Sequence, residues 1–262
     1  MKLSINARDI NRAGEPSNDK PKSLIECAYR ILGRDIIHGT FLPGSKIKLE
    51  PLSARYDVSA GTIREALSLL VSDGLVTANA QRGFRVAEMS IEDFQDLVNT
   101  RLLLEVSALK TSIANGGDEW EGRVVSAFHR LSLAEQRFDE DEEGTFDLWE
   151  LRNREFHEAL VSECDSKWTL RFREVLYRQS ERYRRLTYTL HESPGRVAHS
   201  EHKAIYDLTL ARKSEEATAS LVEHIRSAVS FAKMSQLLLP SKIEAAFEKA
   251  NKSRAEAARK AT

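Results

Sequence analysis

The chain has 262 residues, of which 41% are apolar and 30% charged, and its formal net charge is −1. That length suits one large domain or two of ordinary size. No apolar run reaches the roughly 18–20 residues of a membrane span, and the N-terminal MKLSINARDINRAGEPSNDK lacks the apolar core of a secretory signal.

In chain order, residues 1–21 are polar, carry Gly14, Pro16 and Pro21, and read as a flexible tail. From Ser23 the apolar positions Leu24, Ala28, Ile31, Leu32 and Ile36 recur at helical spacing. Gly39 and then Pro43-Gly44 end that helix. Leu49, Leu52, Ala54 and Tyr56 predict a short helix closing near Asp57, and a third helix is expected from about Thr62 to Asp73. Val76, Ala78, Phe84 and Val86 alternate around the turn Gln81-Arg82-Gly83, which is a hairpin signal. After Ser90, a helix start with a capping-box flavour, only helical periodicity is expected to about Leu238. Breaks are expected at Asn115-Gly116-Gly117, at the acidic run 139–144, near Cys164 and at Ser193-Pro194-Gly195. The predicted fold is mainly α: a winged helix-turn-helix with a small hairpin over 22–88, an all-α bundle of six or seven helices over 89–238, and a C-terminal tail over 239–262.

Charge follows this division. Residues 22–86 hold nine Lys/Arg against six Asp/Glu, whereas residues 87–241 hold 20 against 28. A polyanionic partner is therefore expected for the first unit alone. The cysteines, Cys27 and Cys164, form no Cys-x-x-Cys pair and read as reduced core thiols of a cytoplasmic protein.

A helix that enters the DNA major groove needs a slim, polar first turn. Ser59, Ala60, Gly61 and Thr62 provide one, with hydroxyls and backbone N–H groups for phosphates. Arg64 can reach a guanine edge with two hydrogen bonds. Arg82 at the hairpin turn suits a narrow minor groove. Arg55 and Lys46 are further phosphate partners, and Leu67, Leu69 and Leu70 are expected to anchor the helix. Arg64 and Glu65 equally suit surface charges on a packing helix.

Leu42-Pro43-Gly44, Val58-Ser59, Ile63-Arg64-Glu65-Ala66-Leu67, Asp73-Gly74-Leu75-Val76 and Arg82-Gly83 resemble the GntR family of bacterial transcription regulators. The helical remainder looks like the FadR-type ligand-sensing (FCD) domain, so the resemblance covers about residues 22–238. One departure stands out: relatives usually carry Arg-Thr where this chain has Ala60-Gly61, so an arginine that commonly touches DNA is missing.

The resemblance implies a homodimer on a palindromic double-stranded DNA operator, acting at the nucleoid of a bacterial cytoplasm. It also implies a small organic acid effector, a dicarboxylate among the candidates, held near a divalent transition metal such as Zn²⁺ or Ni²⁺. By the same resemblance the metal ligands are Asn153, His157, His202 and His224. Relatives often carry Asp at the Asn153 position, and Asn coordinates more weakly. Arg101 is implied as the partner of an effector carboxylate, with an intrahelical pair to Glu105 as the equal alternative. Tyr183 and Arg184 are further pocket residues. Trp149, Trp168 and Phe156 are expected in the core, His199 in solvent, and His38, His129 and His191 have no constellation. Two rival readings stay open: an architectural DNA-binding protein without effector, and a three-histidine metalloenzyme with Glu201 or Glu155 as its base.

Overall fold

The computed structural model describes residues 23–79, 83–137, 145–188, 194–236 and 238–248. The tail at 1–21, Gln81 and Arg82, the acidic run 139–144, His191 and residues 249–262 lie outside the described residues. The chain divides into two compact units, the first built from described residues 23–89 and 240–248, the second being Ser90–Leu239.

The first unit begins with α1 (Leu24–Ile37), capped by the Ser23 hydroxyl, which accepts from the Glu26 N–H. A two-residue strand, β1 (Lys46–Ile47), precedes α2 (Leu49–Tyr56) and α3 (Ala60–Ser72). The hairpin β2 (Val76–Asn79) and β3 (Gly83–Val86) pairs in antiparallel register, Val76 with Val86 and Ala78 with Phe84. β1 adds antiparallel to β3, with Lys46 opposite Arg85, so the sheet order is β1-β3-β2. Two residues carry no periodicity, which is why the third strand leaves no trace in the sequence. α1 and α2 both pack on α3.

The core of this unit joins Ala28, Leu32, Ile36, Leu52, Tyr56, Ile63, Leu67, Leu70, Leu75, Val76 and Val86. Ile63, Ala66, Leu67 and Leu70 fall at i, i+3, i+4, i+7 and are fully buried. Leu69 does not share that face; it is 47% exposed and is no anchor.

The second unit is helical throughout its described residues: α4 (Ile91–Asn115), α5 (Asp118–Arg137), α6 (Thr145–Leu160), α7 (Lys167–Tyr188), α8 (Pro194–Leu210) and α9 (Ser214–Met234). Ser90 caps α4, its hydroxyl accepting from the Asp93 N–H. α4 packs against α7 and α9, α5 against α6 and α8, and α8 against α9. Trp120 and Trp149 are buried, as is Phe156, but Trp168 lies on the outer face of α7 at 64% exposure, beside Phe172. The break between α8 and α9 carries neither Gly nor Pro. Arg212 takes it in left-handed backbone at φ 58, and its guanidinium donates to the Ile113 carbonyl. No described helix is long and apolar enough to cross a membrane. Residues 240–248, read from sequence as part of a tail, are helical.

The buried stripe of α3 generates a paired expectation. Leu70→Ala lowers the stability of the first unit by about 2–5 kcal/mol, the range for emptying a leucine site, whereas Leu69→Ala stays within about 0.5 kcal/mol. Urea unfolding followed by circular dichroism and by tryptophan fluorescence, whose probes report chiefly on the second unit, separates the two transitions.

Candidate metal centre and nucleic-acid interface

In the first unit, α3 presents a bare N-terminus. Ser59 is its N-cap: the hydroxyl accepts from the Thr62 N–H at 3.0 Å and shares a 2.9 Å hydrogen bond with the Thr62 hydroxyl. Both side chains and the Thr62 N–H are thus committed to the helix start, which leaves the backbone N–H groups of Ala60 and Gly61 as the anion-facing donors. A Cβ built on Gly61 would meet only the Ser59 hydroxyl, at 3.6 Å, so glycine there is not demanded by packing. Arg64 is exposed one turn into the helix. Arg55 reaches Asp35 at 3.6 Å and lies over the Tyr56 ring at 5.4 Å, a partly neutralised cation. Lys46 is exposed on β1. Gly83 takes φ 74 at the start of β3, where a left-handed residue is needed. Arg85, absent from the sequence reading, donates to the Gly44 carbonyl at 2.8 Å and fastens the wing to the turn before β1.

In the second unit, three helices bring His157 (α6), His202 (α8) and His224 (α9) together, each offering a ligand atom within 4.8 Å of the others. Asn153 precedes His157 by one helical turn, so both side chains share a face. Glu135 on α5 receives two imidazoles: His202 Nδ1 lies 2.6 Å from Oε1 and His199 Nδ1 lies 2.8 Å from Oε2. Glu201 likewise holds His224 Nδ1 at 2.7 Å. A carboxylate accepts, so Nδ1 carries the proton in both rings and Nε2 presents its lone pair to the cluster. His199 is therefore not merely in solvent, as expected; its ring is 38% exposed but tied to a buried acid.

The residues fit a metal. His202 Nε2, His157 Nδ1 and Asn153 Oδ1 are buried and make no hydrogen bond among the described residues. Asn153 is oriented by its own amide, which donates to the Tyr177 hydroxyl at 2.7 Å and turns Oδ1 away as an acceptor. Burial in apolar surroundings, reinforced by the neighbouring histidines, holds His157 well below the usual imidazole range and His224 down to about 4. Neutral imidazoles with bare lone pairs and an amide oxygen are a donor set for Zn²⁺ or another first-row divalent ion.

Beside the cluster lies a cavity of about 130 Å³ whose lining includes Arg101, Asn153, His157, Arg184, Glu201 and His224, with Phe94, Trp149, Ile225 and Phe231 as apolar wall. Glu105, fully buried, accepts from Arg101 Nε at 2.9 Å and from Arg173 Nε at 2.8 Å. Burial alone would raise this carboxyl, but Arg173 and Arg101 outweigh it and hold it below the usual range. Both readings of Arg101 are thus present in the structure: it pairs with Glu105 through Nε, and it lines the cavity. Its two Nη groups make no hydrogen bond among the described residues. Arg184 also lines the cavity, but its fork grips Glu150, Nε to Oε2 at 3.1 Å and Nη2 to Oε1 at 2.5 Å. Tyr183 does not line it; stacked on Phe94 at 4.3 Å, it donates to the Asp93 carboxylate instead. Tyr177, missed in the sequence, is the hub, with Arg101, Arg173 and Arg184 over its ring at 4.7, 5.5 and 4.4 Å. Glu155 is engaged by Arg152 and Arg130.

The chain is similar to known proteins in both units. Residues 24–86 match the family model of bacterial regulatory proteins, gntR family, and residues 96–227 match the FCD domain. The chain is similar to the HTH-type transcriptional regulator BphR of Paraburkholderia xenovorans, 50% identical over 83% of this chain and 88% of that protein. It is also similar to the HTH-type transcriptional repressor GlaR of Escherichia coli, 37% identical over 75% of this chain and 90% of the other. Among solved structures, Escherichia coli McbR/YncC shares the fold, with a TM-score of 0.68 at 18% identity over 82% of this chain and all of that one.

Two substitutions test the buried network. Glu105→Gln leaves Arg101 and Arg173 without their counter-charge and costs about 3–5 kcal/mol in urea unfolding of the second unit. Glu135→Gln releases the His202 ring and weakens Zn²⁺ binding by about 10–100-fold, read by competition with a chromophoric chelator.

Proposed function

The chain belongs to the GntR family of bacterial regulatory proteins and carries an FCD domain, and on that footing we propose that it is a metabolite-responsive repressor. It is a DNA-binding transcription regulator and not an enzyme. In the proposed mechanism two copies place α3 of each first unit in successive major grooves of a palindromic operator, since protein two-fold symmetry mirrors half-site symmetry. Exposed Trp168, Phe172 and Leu103 on the helical unit support association between copies. The repressor reading is supported by the likeness to GlaR of Escherichia coli, a transcriptional repressor. The site of action is the nucleoid of the bacterial cytoplasm.

The observation that carries the effector reading is the convergence of unpartnered groups on one cavity: Asn153 Oδ1 and His157 Nδ1 on one side, with His202 Nε2 in the histidine cluster behind them, and the Arg101 Nη groups on another. Asn153, His157, His202 and His224 would hold a divalent ion, which supplies a Lewis-acidic anchor for an anion. Arg101 receives a carboxylate of the effector through the guanidinium edge that Glu105 leaves free. Arg184 shapes the wall and is neutralised by Glu150. Gly116-Gly117-Asp118-Glu119-Trp120 and the segment from Trp149 to His157 resemble the carbon-starvation-induced regulator CsiR, and dicarboxylates such as glutarate are proposed on that likeness. The ligand acts by favouring one arrangement of the paired DNA-binding units, because a ligand that binds both equally shifts nothing.

The test is a gel-shift titration on the promoter region of the chain's own gene. A complex that survives competitor DNA is expected from the wild type. Arg64→Ala abolishes it, and Ala60→Arg changes or broadens the preferred sequence. Full binding by Arg64→Ala overturns the assignment of the reading helix. Absence of any effect of organic acids on operator affinity, with no thermal stabilisation, reduces the protein to an architectural DNA binder.

A further inference from the structure

The chain crosses from the first unit to the second at residues 89–90 and crosses back at 239–240. The returning segment is built to dock. Residues 240–248 are helical, and Ile243, Ala246 and Phe247, at i, i+3 and i+4, are buried while their neighbours 241, 242, 244, 245 and 248 are exposed. The Phe247 ring sits on Gly39, where an added Cβ would come within 2.0 Å of Cδ1. Gly39 closes α1 at φ 74, with its N–H bonded to the Ile36 carbonyl at 3.0 Å and the Thr40 N–H to the Asp35 carbonyl at 2.8 Å. Glycine is thus required twice at this position, for its backbone conformation and for the ring above it.

The helix that leads into this segment is a wall of the cavity. α9 contributes His224, Ile225, Ala228 and Phe231 to the lining. Its end is tightly made: the Phe231 carbonyl accepts from both the Ser235 N–H at 2.9 Å and the Ser235 hydroxyl at 2.7 Å. Gln236, in left-handed backbone at φ 50, donates its N–H to the Lys233 carbonyl, and Leu239 donates to Gln236. Ser235, Gln236 and Leu239 thus close the end of α9 with backbone hydrogen bonds, and Pro240 follows directly in the chain.

We propose that residues 240–248 form an intramolecular strap. They dock on the C-terminal end of α1 through Phe247 and tie the cavity-bearing helix α9 to the DNA-binding unit by a second covalent route besides residues 89–90. An ion or anion that fixes α9 through His224 then restrains the unit that carries α3, and the proposal rests for this output on the effector reading above. Segments that couple two units in this way belong to the locally less stable parts of a protein, so binding registers in their opening equilibrium.

Two measurements on the full chain test this. Zn²⁺ alone slows amide exchange across residues 240–248 by about fivefold or more, the low end of ordinary coupling between sites; unchanged exchange in a chain that binds Zn²⁺ overturns the strap. Phe247→Ala binds Zn²⁺ within about twofold of wild type, yet its change in operator affinity on adding Zn²⁺ with glutarate falls about fivefold or more, and Phe247→Leu restores part of it. A response in Phe247→Ala as large as in wild type overturns the proposal and leaves the effector reading intact. A wild-type chain whose operator affinity ignores Zn²⁺ and glutarate, while exchange at 240–248 still slows, refutes the effector reading and leaves the strap standing.

Discussion

One carboxylate between two guanidinium groups organises the helical unit. Glu105 projects from the middle of α4 into a dry interior, where an isolated charge is prohibitive. Arg101 comes from the same helix, one turn earlier, and Arg173 from α7, so the triad fixes α4 against α7. Two cations share this one anion, and one of them, Arg101, also lines the cavity. Arg184 lines it too, but Glu150 takes its fork. Tyr177 lies under three of these guanidinium groups and, through its hydroxyl, also receives the Asn153 amide. The orientation of Asn153, and hence the open oxygen beside His157, depends on the same tyrosine that the arginine cluster holds.

A second set of contacts prepares the imidazoles. Glu135 and Glu201 accept hydrogen bonds from Nδ1 of His202 and His224, which turns the other ring nitrogen of each toward the cluster, and His202 Nε2 has no partner among the described residues. Burial keeps His157 and His224 neutral. An imidazole that must lose a proton before binding a metal does so at a cost; here that cost falls on folding instead, and the donors stand ready. Two complementary features therefore stand beside one cavity, a neutral lone-pair cluster and the Arg101 guanidinium.

Much of this was legible from the sequence, for uneven physical reasons. Helices with a buried stripe announce themselves, as Ile63, Ala66, Leu67 and Leu70 do, and the spacing of four on α6 places Asn153 and His157 on one face. Leu67 and Leu70 anchor α3 as expected but Leu69 does not, because three leucines in four positions cannot share one helix face. Trp168 failed for the converse reason, since size alone does not bury a side chain. Glu135 gave no local signal at all: its partners lie 64 and 67 residues away, on a helix that reaches it only in the folded bundle. Tyr177 likewise gains its role from arginines on two helices, a relation invisible to spacing along either one.

The end of the chain shows most clearly how composition misleads. A stretch rich in Ala, Lys and Glu after Pro240 reads as a solvated tail, and in its described part, residues 241–248, most side chains do face water. Three do not, and one of them finds the only kind of residue over which a ring can lie directly against backbone. Gly39 was already explained by the turn that ends α1, so nothing in the sequence asked for a second reason. A left-handed glycine that is also a seat for a distant aromatic ring is constrained from both sides: an alanine there would strain the turn and expel Phe247 together. That double constraint makes the docking of residues 240–248 specific rather than incidental apolar contact, and it gives a segment outside both recognisable domains a defined place in the fold.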